Sequence, residues 1–124
     1  MDKNFSDKEK LYRAVMPATR FPNFWKKNGK VSSAAFKKKD GLSVERGNFR
    51  ADKDIINEMK QFFTGSIVSV SVKECKDVDA VIKYLPTERS NYHSEIHRNS
   101  EIKPLTESQA KHLADKAIIV YKEQ

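Results

Sequence analysis

Short stretches in which apolar residues alternate with polar ones, or in which β-branched residues are concentrated, recur along the chain. Both patterns are typical of β-strands, whose side chains point to opposite faces in turn. We predict strands over residues 11–16, 42–46, 66–72, 80–85, 92–98 and 117–121. The last stretch also suits a final turn of helix, but its run of β-branched residues favours the strand.

A longer segment, residues 52–64, repeats its apolar residues at the period of an α-helix. The residues that share one face of this helix are Ile55, Ile56, Met59, Phe62 and Phe63. Asp52 is predicted to cap the start of the helix. Gly65 is placed to end it in the left-handed conformation.

A second helix is predicted over residues 106–117, where Thr106 and Gln109 have the spacing of a capping box. A single helical turn is predicted over residues 32–36. Together these elements indicate an α+β fold, in which a small mixed or antiparallel sheet packs against two main helices. The first helix and the strand over residues 66–72 are expected to form the core.

The chain of 124 residues is long enough for one domain with its own core. We predict a flexible N-terminus over the polar residues 1–9 and a single domain over residues 10–124. The N-terminal residues lack the apolar segment of a secretory signal, and no apolar run approaches the length of a membrane span. Cys75 is the only cysteine, so no internal disulfide is possible. We therefore expect a cytoplasmic protein without a membrane partner.

The chain carries 24 Lys and Arg residues against 17 Asp and Glu, a net charge of +7. This excess favours an anionic partner, with nucleic acid first and another polyanion or a protein as alternatives. Residues 29–47 combine cations with glycines and hydroxyl residues, which suits anion binding and equally suits a solvated loop between two strands. The predicted anion-binding residues are Ser32, Ser33, Lys37, Lys38, Lys39, Ser43, Arg46 and Arg50.

Two residues are candidates for chemistry, Arg13 and His93. Arg13 is predicted to point inward from the middle of the first strand, where its charge needs a partner. A histidine, with an ordinary pKa of about 6.5, is suited to moving a proton at neutral pH. We predict that both residues lie in one pocket with Ser43 and with Ser32 or Ser33.

The segment around His93 is predicted to be an edge strand that carries His93, Glu95 and His97 on one face. Successive side chains on one face of a strand stand roughly 7 Å apart, which is too far for three ligands on one ion. We therefore predict no metal site and no cofactor. Cys75 lacks a reactive motif such as C-x-x-C and is expected to be an unreactive thiol.

Several motifs between Leu11 and Ala117, namely L-Y-R-A-V-x-P, V-S-S-A-A-F, L-S-V and N-Y-H-S-E-I, resemble a group of small uncharacterised prokaryotic proteins. The resemblance implies no established activity. The residues of family type are Tyr12, Arg13, Ser32, Ser33, Phe36, Ser43 and His93. A weaker likeness is to ADP-ribosyltransferase-like folds, which carry an early arginine, then hydroxyl residues and a late glutamate. Glu95 would be that glutamate, but the S-T-S strand motif is absent.

Three functions are compatible with these patterns. The first is binding of an anionic partner, nucleic acid above all, through a basic face. The second is a small enzyme that acts on a nucleotide or NAD in a pocket lined by Arg13, Ser33, Ser43 and His93. The third is a non-catalytic accessory module, such as an antitoxin-like or phage-defence subunit. The sequence alone does not decide whether the protein is an enzyme.

Overall fold

The computed structural model describes residues 1–123, and its six strands and three α-helices confirm the α+β fold. The strands are β1 Lys10–Val15, β2 Leu42–Arg46, β3 Ser66–Ser71, β4 Val81–Tyr84, β5 His93–His97 and β6 Ile118–Tyr121. The helices are α1 Asp52–Met59, α2 Val72–Lys76 and α3 Glu107–Lys116. Two 3-10 turns, Pro22–Phe24 and Ser33–Phe36, lie between β1 and β2. None of the helices in residues 1–123 is long and apolar enough to cross a membrane.

The six strands form one antiparallel sheet in the order β4-β5-β2-β1-β3-β6. β5 lies between β4 and β2, so the prediction that the segment around His93 is an edge strand is wrong. The edges of the sheet are β4 and β6. Alternation along a strand shows which residues share a face, but it carries no information about the strand's neighbours.

The main core lies on one face of the sheet, beneath α2, α3 and the 3-10 turn at Ser33–Phe36. The sheet residues that form it are Leu11, Val15, Leu42, Val44, Val68, Val70 and Ile96. α3 contributes Leu113, which is fully buried. Its start carries the predicted capping box, in which Thr106 and Gln109 each accept a hydrogen bond from the other's backbone N–H.

The opposite face of the sheet is covered by α1 only over β1, β3 and β6. There Ile55 and Met59 of α1 pack against Tyr12 and Ile67. This second cluster is small, and the valines of β3 point to the other face. The prediction that the first helix and β3 form the core therefore needs correction, because most of the buried apolar residues pack against α2 and α3.

The ends of α1 also differ from the prediction. The helix ends at Met59, and the residues that follow form turns. Asp52 is the first residue of the helix and Ala51 is at the N-cap position, so Asp52 does not cap it. The carboxylate of Asp52 accepts a hydrogen bond from the hydroxyl of Tyr12. Gly65 has a positive φ, as predicted, but it does so where the chain enters β3 and not at the end of the helix.

Candidate functional site

A cleft of about 460 Å³ opens on the face of the sheet that α1 covers in part. Strands β1, β2 and β5 form its floor, and the turns after α1 and the connection between β1 and β2 form its walls. We call it the sheet cleft. Its aromatic residues are Phe21, Phe24 and Phe63, and its cations are Arg13, Lys37, Lys38 and Arg89. A polar floor, an aromatic wall and a cationic rim thus meet in one cleft, and this arrangement is suited to ligand binding.

Three of the residues predicted to share a pocket do line the sheet cleft: Arg13, Ser43 and His93. The other two predicted hydroxyl residues lie outside it. Ser32 donates a hydrogen bond to the backbone carbonyl of Asn23, and Ser33 donates one to the carboxylate of Glu107 at 3.0 Å. Both hydroxyls are therefore engaged in holding the 3-10 turn in place, which contradicts the prediction that they join the pocket.

The guanidinium of Arg13 is held by backbone carbonyls. Its Nε donates to the carbonyl of Ala35 at 2.8 Å, and its Nη1 donates to that of Ser43 at 2.9 Å. No carboxylate in residues 1–123 lies within ion-pair distance of it. Burial lowers the pKa of Arg13 to about 10, so the group stays charged at neutral pH. It therefore brings to the cleft a positive charge that forms no ion pair within the described residues.

Arg46 was predicted to bind an anion at the surface, and the structure contradicts this. Its side chain is 2% exposed, and its Nε and Nη2 each donate to the carboxylate of Glu9 at 2.7 Å. The ring of Phe5 lies 4.0 Å from its guanidinium carbon, and the carbonyls of Asp2 and Asn4 accept further hydrogen bonds from it. Residues of the N-terminal segment that we predict to be flexible thus contact the buried guanidinium. Because the guanidinium is enclosed in this way, a ligand cannot reach it.

The other predicted cations differ in how far they are neutralised. Arg50 pairs with Glu58 at 2.9 Å and stacks on Tyr92, with 3.4 Å between its guanidinium carbon and the ring centroid. Lys37 forms an ion pair with Glu107. Lys38 and Lys39 are exposed and make no ion pair within residues 1–123. Only Lys38 of these two lines the cleft. The basic face is therefore less continuous than the sequence suggests.

Arg89 is a cation of the sheet cleft that is not among the predicted site residues. It lies in the loop between β4 and β5, and it reaches across to the turns after α1. Its guanidinium carbon lies 5.7 Å from the ring centroid of Phe62 and 5.2 Å from that of Phe63. These cation–π contacts join two walls of the cleft. They bring together segments more than twenty positions apart, which explains why no local pattern reveals them.

Glu45 is a second residue of the cleft that is not among the predicted site residues. The alternation of β2 indicates its position, because it places Glu45 on the face opposite to Leu42 and Val44. The side chain lies on the cleft floor and the residue is 7% exposed, and its Oε2 has no hydrogen-bond partner within residues 1–123. Burial raises the pKa of Glu45, and the Ser90 hydroxyl and His93 offset this only in part.

His93 lies directly opposite Glu45, on the neighbouring strand β5 and on the same face. Its Nδ1 is 2.9 Å from the backbone carbonyl of Leu85. A carbonyl oxygen can only accept a hydrogen bond, so Nδ1 carries the proton in the neutral ring. Nε2 is then the nitrogen with a free lone pair, and it can accept a proton from a ligand in the cleft.

Glu95 and His97 form a separate pair further along β5. The Nε2 of His97 is 2.8 Å from the carboxylate of Glu95, and His97 is 3% exposed. Gly41 packs against both, since a Cβ at this position would lie 2.8 Å from His97 and 2.9 Å from Glu95. Neither residue lines the sheet cleft. Residues 1–123 contain no group of three or more histidine, cysteine or acidic side chains placed to hold a metal ion.

The buried carboxyl of Glu45 predicts a pH-dependent stability. The pKa of Glu45 is higher in the folded protein than the ordinary glutamate value of 4.5. Ionisation of the carboxyl therefore lowers the free energy of unfolding, and this loss develops as pH rises from 4.5 through the folded-state pKa. Glu45→Gln should therefore raise the free energy of unfolding at pH 8 and change it little at pH 4. Urea unfolding at both values measures this. Glu88→Gln, at an exposed position, controls for the general effect of losing one negative charge, and equal shifts in both variants would contradict the assignment.

Comparison with protein-family models, curated proteins and solved structures finds no match to this chain. The two resemblances read from its motifs therefore stay predictions. The sheet cleft has to be interpreted from its own geometry and chemistry.

Proposed function

We propose that the protein binds a nucleotide unit of single-stranded nucleic acid in the sheet cleft. The single observation that carries the proposal is the meeting of an aromatic wall with cations on the floor and rim of one cleft. Phosphates require the positive charge, and an unpaired base requires a flat apolar surface on which to stack. A volume of about 460 Å³ is within the range of small-molecule sites.

The aromatic wall supports stacking in particular. Phe21 and Phe24 lie parallel, with 5.0 Å between ring centroids and an interplanar angle of 7°. Phe21 is 42% exposed, so this stack has an open end. A base that continued the stack would cover apolar surface that is otherwise in contact with water. Stacking on an aromatic side chain contributes about 1–3 kcal/mol per base.

The cations support phosphate contacts at the same place. Arg13, Lys38 and Arg89 line the cleft, and none of them forms an ion pair within residues 1–123. A duplex has its bases paired inside, so it cannot offer one to the cleft wall. The proposal therefore favours single strands. It also places the protein in the cytoplasm, where such strands occur and a lone thiol stays reduced.

A second candidate function is an enzyme that acts on a free nucleotide or NAD. Arg13, Ser43 and His93 in one cleft favour it, whereas Ser33 does not contribute. The two candidates differ in how affinity depends on the number of nucleotides. A strand-binding protein gains affinity from each added phosphate contact, and an enzyme for free nucleotides does not. A non-catalytic module that binds only a protein would show neither affinity.

Binding to fluorescein-labelled single-stranded oligonucleotides, measured by anisotropy, tests the proposal. Three phosphate contacts predict a log–log salt slope of roughly −2, or about a 20-fold loss of affinity between 50 and 200 mM salt. Phe21→Ala is expected to weaken binding by roughly 5- to 150-fold through the lost stacking. Phe49→Ala is the matched control, because Phe49 is an exposed aromatic residue outside the cleft.

Mononucleotide competition separates the two candidates in the same assay. The strand proposal expects an oligonucleotide to bind much more tightly than the mononucleotide of the same base. No binding at low salt, or equal losses in the Phe21 and Phe49 variants, would overturn it.

A further inference from the structure

Binding alone does not account for two titratable groups on the floor of the sheet cleft. Glu45 and His93 are directly opposite each other in the pairing of β2 with β5. Residues opposite each other in an antiparallel pair have Cβ atoms about 4.5–5.5 Å apart, so both side chains rise into the same part of the cleft. Both residues line it. A carboxyl and an imidazole at this separation can act on the two ends of one reacting group.

Glu45 is poised to give up a proton. The residue is 7% exposed and lines the cleft, and its enclosed Oε2 is without a protein partner in residues 1–123, so no hydrogen bond to that oxygen stabilises the ionised form. The groups around it are His93 from β5, Glu58 from α1, and Arg50 and Ser90 from the adjoining loops. Burial outweighs the charges among them and raises the pKa of the carboxyl.

His93 is poised to take a proton. The Leu85 carbonyl fixes the proton of the neutral ring on Nδ1, so the lone pair is on Nε2. The pair supplies an acid and a base but no nucleophile. The chain's only thiol, Cys75, is buried in the core on the other face of the sheet. The hydroxyl of Ser43 also lines the cleft, but within residues 1–123 it forms no hydrogen bond with His93 or Glu45 that would activate it. A ligand that carries its own nucleophile therefore fits the cleft best, and in a nucleic acid strand that group is the 2′-hydroxyl of ribose.

We infer that the sheet cleft cleaves single-stranded RNA by intramolecular transesterification, with His93 as the general base and Glu45 as the general acid. This inference rests on the proposed function, because the strand must first bind in the cleft. His93 Nε2 removes the proton of the 2′-hydroxyl, and the 2′-oxygen forms a bond to phosphorus. The bond from phosphorus to the 5′-oxygen of the next nucleotide breaks, and Glu45 donates its proton to that oxygen.

The atoms and protons of this step balance without a co-reactant. The products are a 2′,3′-cyclic phosphate and a strand with a free 5′-hydroxyl, and no water is consumed. His93 ends with the extra proton and Glu45 without one, and exchange with solvent restores both. Negative charge builds on the phosphoryl oxygens in the transition state. The unpaired cations Arg13, Lys38 and Arg89 lie in the same cleft and can stabilise it.

Cleavage of a chimeric oligonucleotide with one ribonucleotide in a deoxyribonucleotide strand tests the inference. We expect one cut, after the ribonucleotide, with a cyclic phosphate on the upstream product. His93→Gln and Glu45→Gln should each lower the rate by about 10²- to 10⁴-fold, the usual contribution of general acid–base catalysis. Glu95→Gln is the matched control, because Glu95 is on the same face but outside the cleft.

A substrate with sulfur in place of the 5′-bridging oxygen separates the two roles. A thiol with a pKa of about 8.5 leaves without protonation, so it needs no general acid. Glu45→Gln should then cleave this substrate nearly as fast as the unmodified protein, whereas His93→Gln should remain impaired. A variant that had merely lost its fold would be slow on both substrates, and circular dichroism checks the fold directly.

The all-deoxyribonucleotide strand distinguishes failure of this inference from failure of the proposed function. If that strand binds but the chimeric strand is not cut, the catalytic inference falls and strand binding stands. If neither strand binds, both proposals fall. Cleavage that survives in both the His93 and Glu45 variants would also overturn the inference, because it would come from another site or a contaminating nuclease.

Discussion

Replacing Glu9 with glutamine is expected to lower the free energy of unfolding by about 3–5 kcal/mol, the cost of leaving a buried charge without its partner. Glu9 and Arg46 form a bidentate pair in which both side chains are at most 2% exposed. The backbone N–H of Asn48 also donates to the carboxylate of Glu9 at 3.1 Å. Glutamine has the same shape but no charge, and its amide can accept at only one atom. Urea unfolding followed by the fluorescence of Trp25 measures the loss.

Two comparisons make this prediction specific. Asp77→Asn removes the exposed pair with Lys73 on α2, and exposed pairs contribute little to stability. The double variant Glu9→Gln with Arg46→Met should recover a large part of the loss, because no buried charge is then left unpaired. If Glu9→Gln costs no more than Asp77→Asn, the buried pair is not what holds the N-terminal segment against the sheet.

Gly65→Ala is expected to destabilise the protein by about 2–5 kcal/mol. The residue has φ +101°, a conformation that costs an L-residue about 1–2 kcal/mol, and overpacking adds about 1–3 kcal/mol. A Cβ here would lie 2.3 Å from the backbone oxygen of Val15 and 2.9 Å from its carbonyl carbon. These atoms end β1, where Val15 pairs with Ser66, so they cannot move without disturbing the pairing of the two interior strands β1 and β3.

Gly29→Ala provides the matched control for this prediction. Gly29 also has a positive φ, of +88°, but nothing lies within 4 Å of an added Cβ. Its substitution should therefore show the backbone cost of about 1–2 kcal/mol without the steric one. Thermal or urea unfolding of the two variants side by side gives the difference. Equal losses would mean that the chain at Val15 adjusts freely and that the contact does not constrain the sheet.

Much of the fold is determined by local pattern. β2 occupies the predicted residues 42–46, and the capping box at Thr106 starts α3 where its spacing indicated. Alternation also placed Ser43 and Glu45 on the face opposite to Leu42 and Val44. Each of these features depends on residues within a few positions of one another. The backbone and the nearest side chains therefore decide them before any distant contact forms.

Only the tertiary structure decided which cations are exposed and which are buried in ion pairs. Lys38 and Arg46 belong to the same basic stretch and look alike as anion-binding residues. One is exposed beside the cleft, and the other is buried because Glu9, from 37 positions away, lies against it. The sequence shows how many charged groups the chain carries. Whether a cation is neutralised depends on which distant carboxylates lie beside it in the folded protein.

At Glu45 and His93 too, the sequence determines one part of the candidate site and the tertiary structure determines the rest. The sequence shows which face of its strand each residue occupies, but not that β2 and β5 are neighbours, because pairing between distant strands depends on the whole sheet. The groups that surround Glu45 come from other parts of the chain: Glu58 in α1, Ser90 in the loop before β5, and His93 in β5 itself. The raised pKa of the carboxyl is a consequence of removing water, and water is removed by whatever covers the group. Alternation is a property of one strand, whereas desolvation is a property of the assembled fold.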